Sequence, residues 1–278
     1  MQVLFCGRFV LPLDRPLIMG IVNVTPDSFF DGGRHNSTAA AVAHAQKLVA
    51  DGADILDVGG ESTRPGAPEV SVNEEIHRVV PVLEALRELG VPLSVDTRKP
   101  EVMRAALAAG VDLVNDIAAL EGAGALEQVA ASRVAVCLMH KQGEPRTMQE
   151  APSYADVVTE VTDYLARRRD AALRAGIVPE RILLDPGFGF GKTLEQNVAV
   201  FQAMPRMREI LGFPLLVGVS RKSMLGQITE RQVGERMPAS VAAALLAAQA
   251  GAAVIRVHDV AETADALKIW HALRGGDA

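Results

Sequence analysis

The sequence has little cysteine, few aromatic residues and no run of one charge. Cys6 and Cys137 are the only cysteines in 278 residues, far apart and in no motif shared with histidine. They give no disulfide framework; both are expected as buried, reduced thiols, which suits a reducing cytoplasm. No HExxH, CxxC or paired-histidine spacing occurs, so structural zinc has no ligand set. By default His35, His44, His77, His140 and His271 read as surface or core residues. A magnesium ion held mainly by substrate oxygens remains compatible, because it needs no protein cage. The formal net charge is −6, from 28 Lys+Arg against 34 Asp+Glu, which does not fit a protein that must neutralise many nucleic-acid phosphates. An anionic ligand must be held by a few well-placed cations. The most apolar window, 241–255, is broken by Gln249 and Gly251 and falls short of the ~20 residues a membrane span needs. Arg8, Asp14 and Arg15 interrupt any leader-like core, so no signal peptide is expected. The expectation is a soluble cytoplasmic protein with no membrane or nucleic-acid partner.

What is present is regular. Hydrophobic residues make up 49% and charged residues 22% of the chain, enough for a sizeable core and too apolar for disorder. Near-continuous apolar runs at 17–24, 54–59, 93–96, 113–117, 134–140, 182–185, 215–220 and 253–258 read as strands covered on both faces. Helix-period stretches lie between them, at 37–51, 72–89, 100–109, 123–131, 154–175, 194–204, 239–250 and 260–273. Gly52, Gly90, Gly110, Gly176 and Gly251 follow five of these, where a left-handed cap residue is wanted. Eight strand–helix units without a linker predict one (β/α)8 barrel domain over residues 1–278. The apolar stretch before the first unit, within about residues 1–15, reads as a β-hairpin on the barrel floor. A doubly wound open sheet is disfavoured, because Asn23-Val24-Thr25-Pro26-Asp27 stands where its glycine fingerprint belongs.

Nearly every strand run ends in a polar residue: Asn23, Asp57, Asp96, Asn115 with Asp116, His140, Asp185, Ser220 with Lys222, and Arg256 with His258. In a barrel these ends converge on one mouth. Helix capping explains Asp116 well, but not Asp96 and Arg256. Asp57, Asp96, Asp185 and Asn115 suit a neutral, nitrogen-rich heterocycle with several N–H donors. Arg64, Lys222, Arg256 and His258 suit a phosphate or diphosphate. Internal Asp–Arg salt bridging stays open for any single pair. The turn 185–193 ends in Gly191-Lys192-Thr193, yet Pro186 stands where a P-loop needs glycine; it reads as a flexible turn bringing backbone and Phe190 to a flat ligand. Lys222 in Ser220-Arg221-Lys222-Ser223 reads as held at the mouth, with a solvated turn or a Schiff-base lysine as alternatives. The loops 25–36 and 62–72, rich in Pro and Gly, read as lids.

These residues, in order along the chain, resemble the bacterial dihydropteroate synthases. The match runs through Gly20-Ile21-Val22-Asn23-Val24-Thr25-Pro26-Asp27-Ser28-Phe29, Asp57-Val58-Gly59-Gly60-Glu61-Ser62-Thr63-Arg64-Pro65-Gly66, Ser94-Val95-Asp96-Thr97, Asn115-Asp116, Asp185-Pro186-Gly187-Phe188-Gly189-Phe190, Ser220-Arg221-Lys222-Ser223 and Arg256-Val257-His258-Asp259. The resemblance implies a transferase of folate synthesis on a TIM barrel. It joins 6-hydroxymethyl-7,8-dihydropterin diphosphate to p-aminobenzoate, giving 7,8-dihydropteroate and pyrophosphate, and sulfonamides compete with p-aminobenzoate. It further implies Asp96, Asn115, Met139, Asp185, Phe190, Gly218 and Lys222 around the pterin. At the diphosphate it implies Asn23, Thr63, Arg64, Arg256 and His258, with Asn23 as the Mg2+ ligand. Around p-aminobenzoate it implies Phe29, Thr63, Arg64, Pro65, Phe190, Lys222 and Ser223. Asp96, Lys222 and Arg256 would then be the catalytic group, in a homodimer built through barrel helices near the C-terminal half. The chemistry expected is an SN1-like displacement, with diphosphate bound before p-aminobenzoate.

Three other readings compete. A corrinoid-linked methyltransferase of the same barrel family needs no diphosphate clamp, so Thr63-Arg64 and Arg256-Val257-His258 count against it. A Schiff-base aldolase would use Lys222. A non-catalytic pterin-binding homologue could lose the arginines, which are present here.

Overall fold

Strands covered on both faces pair in parallel, and a parallel sheet closes only through crossover helices. The computed structural model describes residues 2–24, 33–62, 69–143 and 147–273, with backbone alone for 33–37. The N-terminal stretch is an antiparallel hairpin of β1 (Val3–Cys6) and β2 (Phe9–Pro12). The eight apolar runs are β3 (Leu17–Asn23), β4 (Ile55–Gly59), β5 (Leu93–Asp96), β6 (Leu113–Asp116), β7 (Ala135–Met139), β8 (Ile182–Asp185), β9 (Leu216–Val217) and β10 (Val254–Val257). They form one eight-stranded sheet in the order β8-β7-β6-β5-β4-β3-β10-β9, every pair parallel. A parallel bridge between Leu184 and Leu215 joins its ends, so the sheet is a barrel.

The helices are α1 (Gly33–Ala50), α2 (Val72–Leu86), α3 (Pro100–Ala109), α4 (Ala125–Ala130), α5 (Val157–Arg174), α6 (Leu194–Leu211), α7 (Ser223–Thr229), α8 (Met237–Gln249) and α9 (Val260–Leu273). The five expected cap glycines all have positive φ, from +84° at Gly90 to +106° at Gly52. Several boundaries differ from the sequence reading: α2 ends at Leu86, α5 starts at Val157, and β9 has two residues where 215–220 reads as strand. Helix α1 starts at Gly33, inside the stretch read as a loop. Helix α6 runs through Pro205 to Leu211 instead of stopping at Met204; Pro205 is on the solvent side, where water can serve the carbonyl it deprives. Helix α7 falls in a stretch to which the sequence pattern assigns no element; it is short and contains Gly226.

Strand alternation decides what reaches the barrel interior. Met19, Ile55, Leu113, Cys137, Leu183 and Val254 pack inward with Leu4 and Cys6 of the hairpin. Their neighbours Ile18, Leu56, Val114, Leu138, Leu184 and Ile255 pack outward under the helices. The hairpin is therefore the floor. Asp112, at the foot of β6, locks it there: it accepts from Arg8 N and Nε at 3.0 Å, from Arg8 Nη2 at 2.9 Å and from Leu93 N at 3.0 Å. Both cysteines are buried free thiols, as expected. No helix among the described residues is long and apolar enough to cross a membrane.

Candidate functional site

The same alternation sets the polar layer. Two residues above inward-facing Ile55, Leu113, Cys137, Leu183 and Val254 come Asp57, Asn115, Met139, Asp185 and Arg256. Floor and mouth are thus successive layers of one interior, apolar below and charged above. A cavity of about 300 Å³ opens there, lined among others by Asn23, Asp96, Phe190, Gly218, Lys222 and Arg256. Ser223 and His258 line it as well, while Asn115, Met139 and Asp185 are buried. The expected Phe29, Thr63, Arg64 and Pro65 lie outside the described residues, as do most of the two loops read as lids.

Arg256 joins the two groups that the sequence reading kept apart. Its Nε donates to Asp57 Oδ2 at 2.6 Å and its Nη2 to Asp96 Oδ2 at 2.7 Å, while Asn115 Nδ2 donates to Asp57 Oδ2 at 3.0 Å. The acceptor set and the cation set form one network, so the internal salt bridging left open in the sequence is realised at this pair. Burial pushes the Asp96 carboxyl up to about 7, against the opposing charge of Arg256. Asp57 reads in the sequence as one of the acceptors for a heterocycle but is not in the set the resemblance implies; its bonds with Arg256 and Asn115 tie it to that set.

Lys222 follows Arg221, a non-glycine residue at φ +58°. Such a backbone is strained unless its surroundings fix it. Arg221 Nε donates to Asp259 Oδ2 at 3.0 Å, its backbone N to Ser240 Oγ at 2.9 Å, and its carbonyl accepts from Arg236 Nη1 at 3.1 Å. The turn so held lets Lys222 Nζ donate to the Phe188 carbonyl and lie 4.5 Å from the Phe190 ring centroid. Burial pulls the Lys222 ammonium down to about 8, with Asp185 opposing. Asp185 is pushed up by burial, and its Oδ1 accepts from Gly187 N at 2.7 Å. His258 Nδ1 is 3.0 Å from Ser220 Oγ.

The turn after β8 is not the flexible element expected. Each carbonyl from Gly187 to Gly191 accepts from a side chain: Gly187 and Phe190 from Lys192, Phe188 from Lys222, Gly189 from Gln149 and Gly191 from Tyr154. The positive φ of Gly187, Gly189 and Gly191 permits the path, and these bonds fix it. Asp116 caps its turn as expected, accepting from Ala118 N and Leu120 N at 2.7 Å. Arg236, Val233, Met148 and Glu61 also line the cavity. The sequence offered no sign of the first three, which lie away from strand ends; Glu61 was visible only inside the family motif.

Among the described residues no group of His, Cys, Asp or Glu forms a metal cage. Asn23, the last residue of β3, lines the cavity, and its amide has no hydrogen-bond partner among the described residues. One neutral oxygen without a cage fits an ion that brings most of its ligands with it, as magnesium does.

Comparison with known proteins agrees with this geometry. Residues 19–258 match the family model described as pterin binding enzyme. The dihydropteroate synthase of Neisseria meningitidis serogroup B is 54% identical over 273 residues, 96% of each chain. The structure of Xanthomonas albilineans dihydropteroate synthase with 4-aminobenzoic acid aligns with a TM-score of 0.93 and 54% identity, covering 99% of both chains. That of the Yersinia pestis enzyme in a sulfonamide drug complex aligns with a TM-score of 0.92 and 47% identity, covering 99% of this chain and 100% of that one. The chain belongs to the pterin-binding enzymes, and among them to the dihydropteroate synthase family.

Proposed function

We propose that this chain joins the methylene carbon of 6-hydroxymethyl-7,8-dihydropterin diphosphate to the amine of p-aminobenzoate, releasing pyrophosphate. The observation that carries this reading is the network of Asp57, Asp96, Asn115 and Arg256 at the mouth of a barrel whose relatives of this family match it from end to end. Asn115 and the Oδ2 of Asp185 act as partners for the pterin ring, above Met139 and beside Gly218 and Phe190. Arg256 has spent Nε and Nη2 on Asp57 and Asp96, so Nη1 faces the diphosphate, joined by Thr63, Arg64 and His258. Asn23 would hold a magnesium ion, which when bound would supply charge neutralisation to the leaving group.

The C–O bond to the diphosphate breaks with its electron pair leaving on oxygen. The methylene cation spreads into the pterin ring, where the Asp96 carboxylate stabilises it. The p-aminobenzoate nitrogen then forms the C–N bond and gives its proton to water, so no strong base is needed. Phe29, Pro65, Phe190 and Ser223 enclose p-aminobenzoate, with Lys222 between the two substrates; a sulfonamide competes for the same space. Pyrophosphate release from the pterin diphosphate, measured with and without p-aminobenzoate, tests the reading. Release that yields dihydropteroate only when p-aminobenzoate is present supports it; no pterin turnover, or methyl transfer from a methylfolate, overturns it.

The same reading includes a homodimer. Helix α8 has no charged residue from Met237 to Gln249, and a helix apolar all round calls for cover on its outer side. Leu246 of α8 and Ile269 and Leu273 of α9 are exposed large apolar residues on adjoining helices. A second copy covers them. Light scattering should give twice the mass of the chain, and Leu246→Lys with Ile269→Lys should give the single mass.

A further inference from the structure

We propose that Lys192, buried behind the turn after β8, is a positioning residue for the pterin end of the site: its ammonium shapes the turn that aims Asp185, Phe190 and Lys222. The proposal rests on the reading of this mouth as a pterin site. In sequence Lys192 is the unexplained end of Gly191-Lys192-Thr193, which fails as a P-loop. In the structure it is 2% exposed, and its side-chain nitrogen meets three polar partners. Nζ lies 2.8 Å from the Gly187 carbonyl, 3.3 Å from the Phe190 carbonyl and 3.0 Å from His140 Nδ1. Among the described residues no carboxylate forms a salt bridge with it. A buried ammonium held only by neutral acceptors is costly, and an apolar side chain would fill the space more cheaply. The feature that an apolar side chain cannot supply is two directed bonds onto one turn and a third contact to His140 beside it.

Those bonds lead to each group at the pterin end. Gly187 and Phe190, the two carbonyls Lys192 draws together, close a tight turn through Phe190 N to Gly187 O at 3.2 Å. Gly187 N holds Asp185 Oδ1. Phe188 O, between them, takes Lys222, and the Phe190 ring lies under that same amine. The turn is also seated hard on β7: a Cβ on Gly187 would come 1.8 Å from the His140 carbonyl. His140 itself is fixed by its backbone N to the Asp185 carbonyl at 3.0 Å and by edge-on packing against Tyr164. Losing the ammonium frees two carbonyls, and the turn relaxes with its three dependants.

Calorimetry separates this role from a general structural one. In Lys192→Met, 6-hydroxymethylpterin should bind at least ~10-fold more weakly, while pyrophosphate with Mg2+ binds within ~2-fold of wild type. In Lys192→Ala, methylammonium should restore pterin affinity at least ~3-fold beyond potassium at equal ionic strength. Should neither variant fold, His140→Gln, which alters one of the three partners, should weaken pterin alone by ~3-fold. Unchanged pterin affinity, equal losses for pterin and pyrophosphate, or no response to methylammonium in a folded Lys192→Ala would overturn the proposal. A wild-type chain that binds no pterin would instead overturn the reading of the mouth, and this proposal with it.

Discussion

Arg256 and Lys222 are both cations at one mouth, yet their surroundings give them different tasks. Arg256 is tied to two carboxylates, which hold its pKa above the ordinary arginine range despite burial. Among the described residues Lys222 bonds to a carbonyl and lies over a ring, with no salt bridge, so its charge is available to a ligand. Lys222→Met should therefore lower kcat/KM by at least ~100-fold, the scale of one positioned electrostatic group, with the folded state intact by circular dichroism; steady-state kinetics check it. Arg256→Ala, in contrast, should disturb pterin and pyrophosphate binding together, because it unties Asp57 and Asp96. His140 gives a pH prediction. Burial and the neighbouring Lys192 pull it down to about 3, far below the ordinary value near 6.5. Between those pH values the unfolded chain binds a proton that the folded chain refuses, so stability is full above about 6.5 and falls as pH drops towards 3. The loss should reach about 2 kcal/mol by pH 5 and be absent from His140→Gln. Melting curves of both proteins at pH 7.5 and pH 5 measure the difference. Asp57, Asp96, Asn115, Asp185 and Arg256 were legible in the sequence because each ends an apolar strand run. Their joining through Arg256 was not, since it depends on strands up to 199 positions apart meeting across the barrel.

At the scale of elements, the strands were more legible than the helices, for a physical reason. A parallel strand in a barrel is apolar on both faces and stands out as a run, whereas a helix end depends on one or two capping contacts. Thr193 and Gln196 form a capping box that opens α6 clearly, yet Pro205 made its far end look like a stop. The hairpin was visible only as apolar chain before the first unit. What fixes it is Asp112, fully buried and four times an acceptor, three of them from Arg8. Asp112→Ala leaves the Arg8 fork and the Leu93 N–H without their acceptor at the edge of the floor. Breaking such a pair by removing one partner should cost about 3 kcal/mol, read as a lower denaturant midpoint. Because the floor is a full layer below Asp57 and Arg256, pterin affinity at low temperature should stay near wild type.

Over the whole molecule the barrel is closed unequally. Strands β3 and β4 are registered over five residue pairs, while β9 has two residues and meets β8 through one bridge, Leu184 with Leu215. Pro214 accepts there from Leu184 N at 3.1 Å but, as proline, has no N–H to return. The β8–β9 seam is therefore the weakest join among the described strands. It is also where the site concentrates: Asp185 ends β8, Gly218 follows β9, and Lys222 bonds to Phe188 across the gap between their loops. A seam of few hydrogen bonds opens locally at lower free energy than the rest of the sheet. The Leu184 and Leu216 amides, which face each other's strand across the seam, should exchange hydrogen faster than Leu56 and Val58 in the free protein. A pterin in contact with residues on both sides stabilises the closed form by mass action, so 6-hydroxymethylpterin should slow exchange most at Leu184 and Leu216. Pyrophosphate with Mg2+, which the proposed site would hold at the ends of β3 and β10 and in the loop after β4, should leave those two amides nearly unchanged. Hydrogen exchange followed by mass spectrometry or NMR reads all four positions. Uniform exchange around the barrel, or equal protection by both ligands, would show that the seam and the pterin end of the site are not coupled.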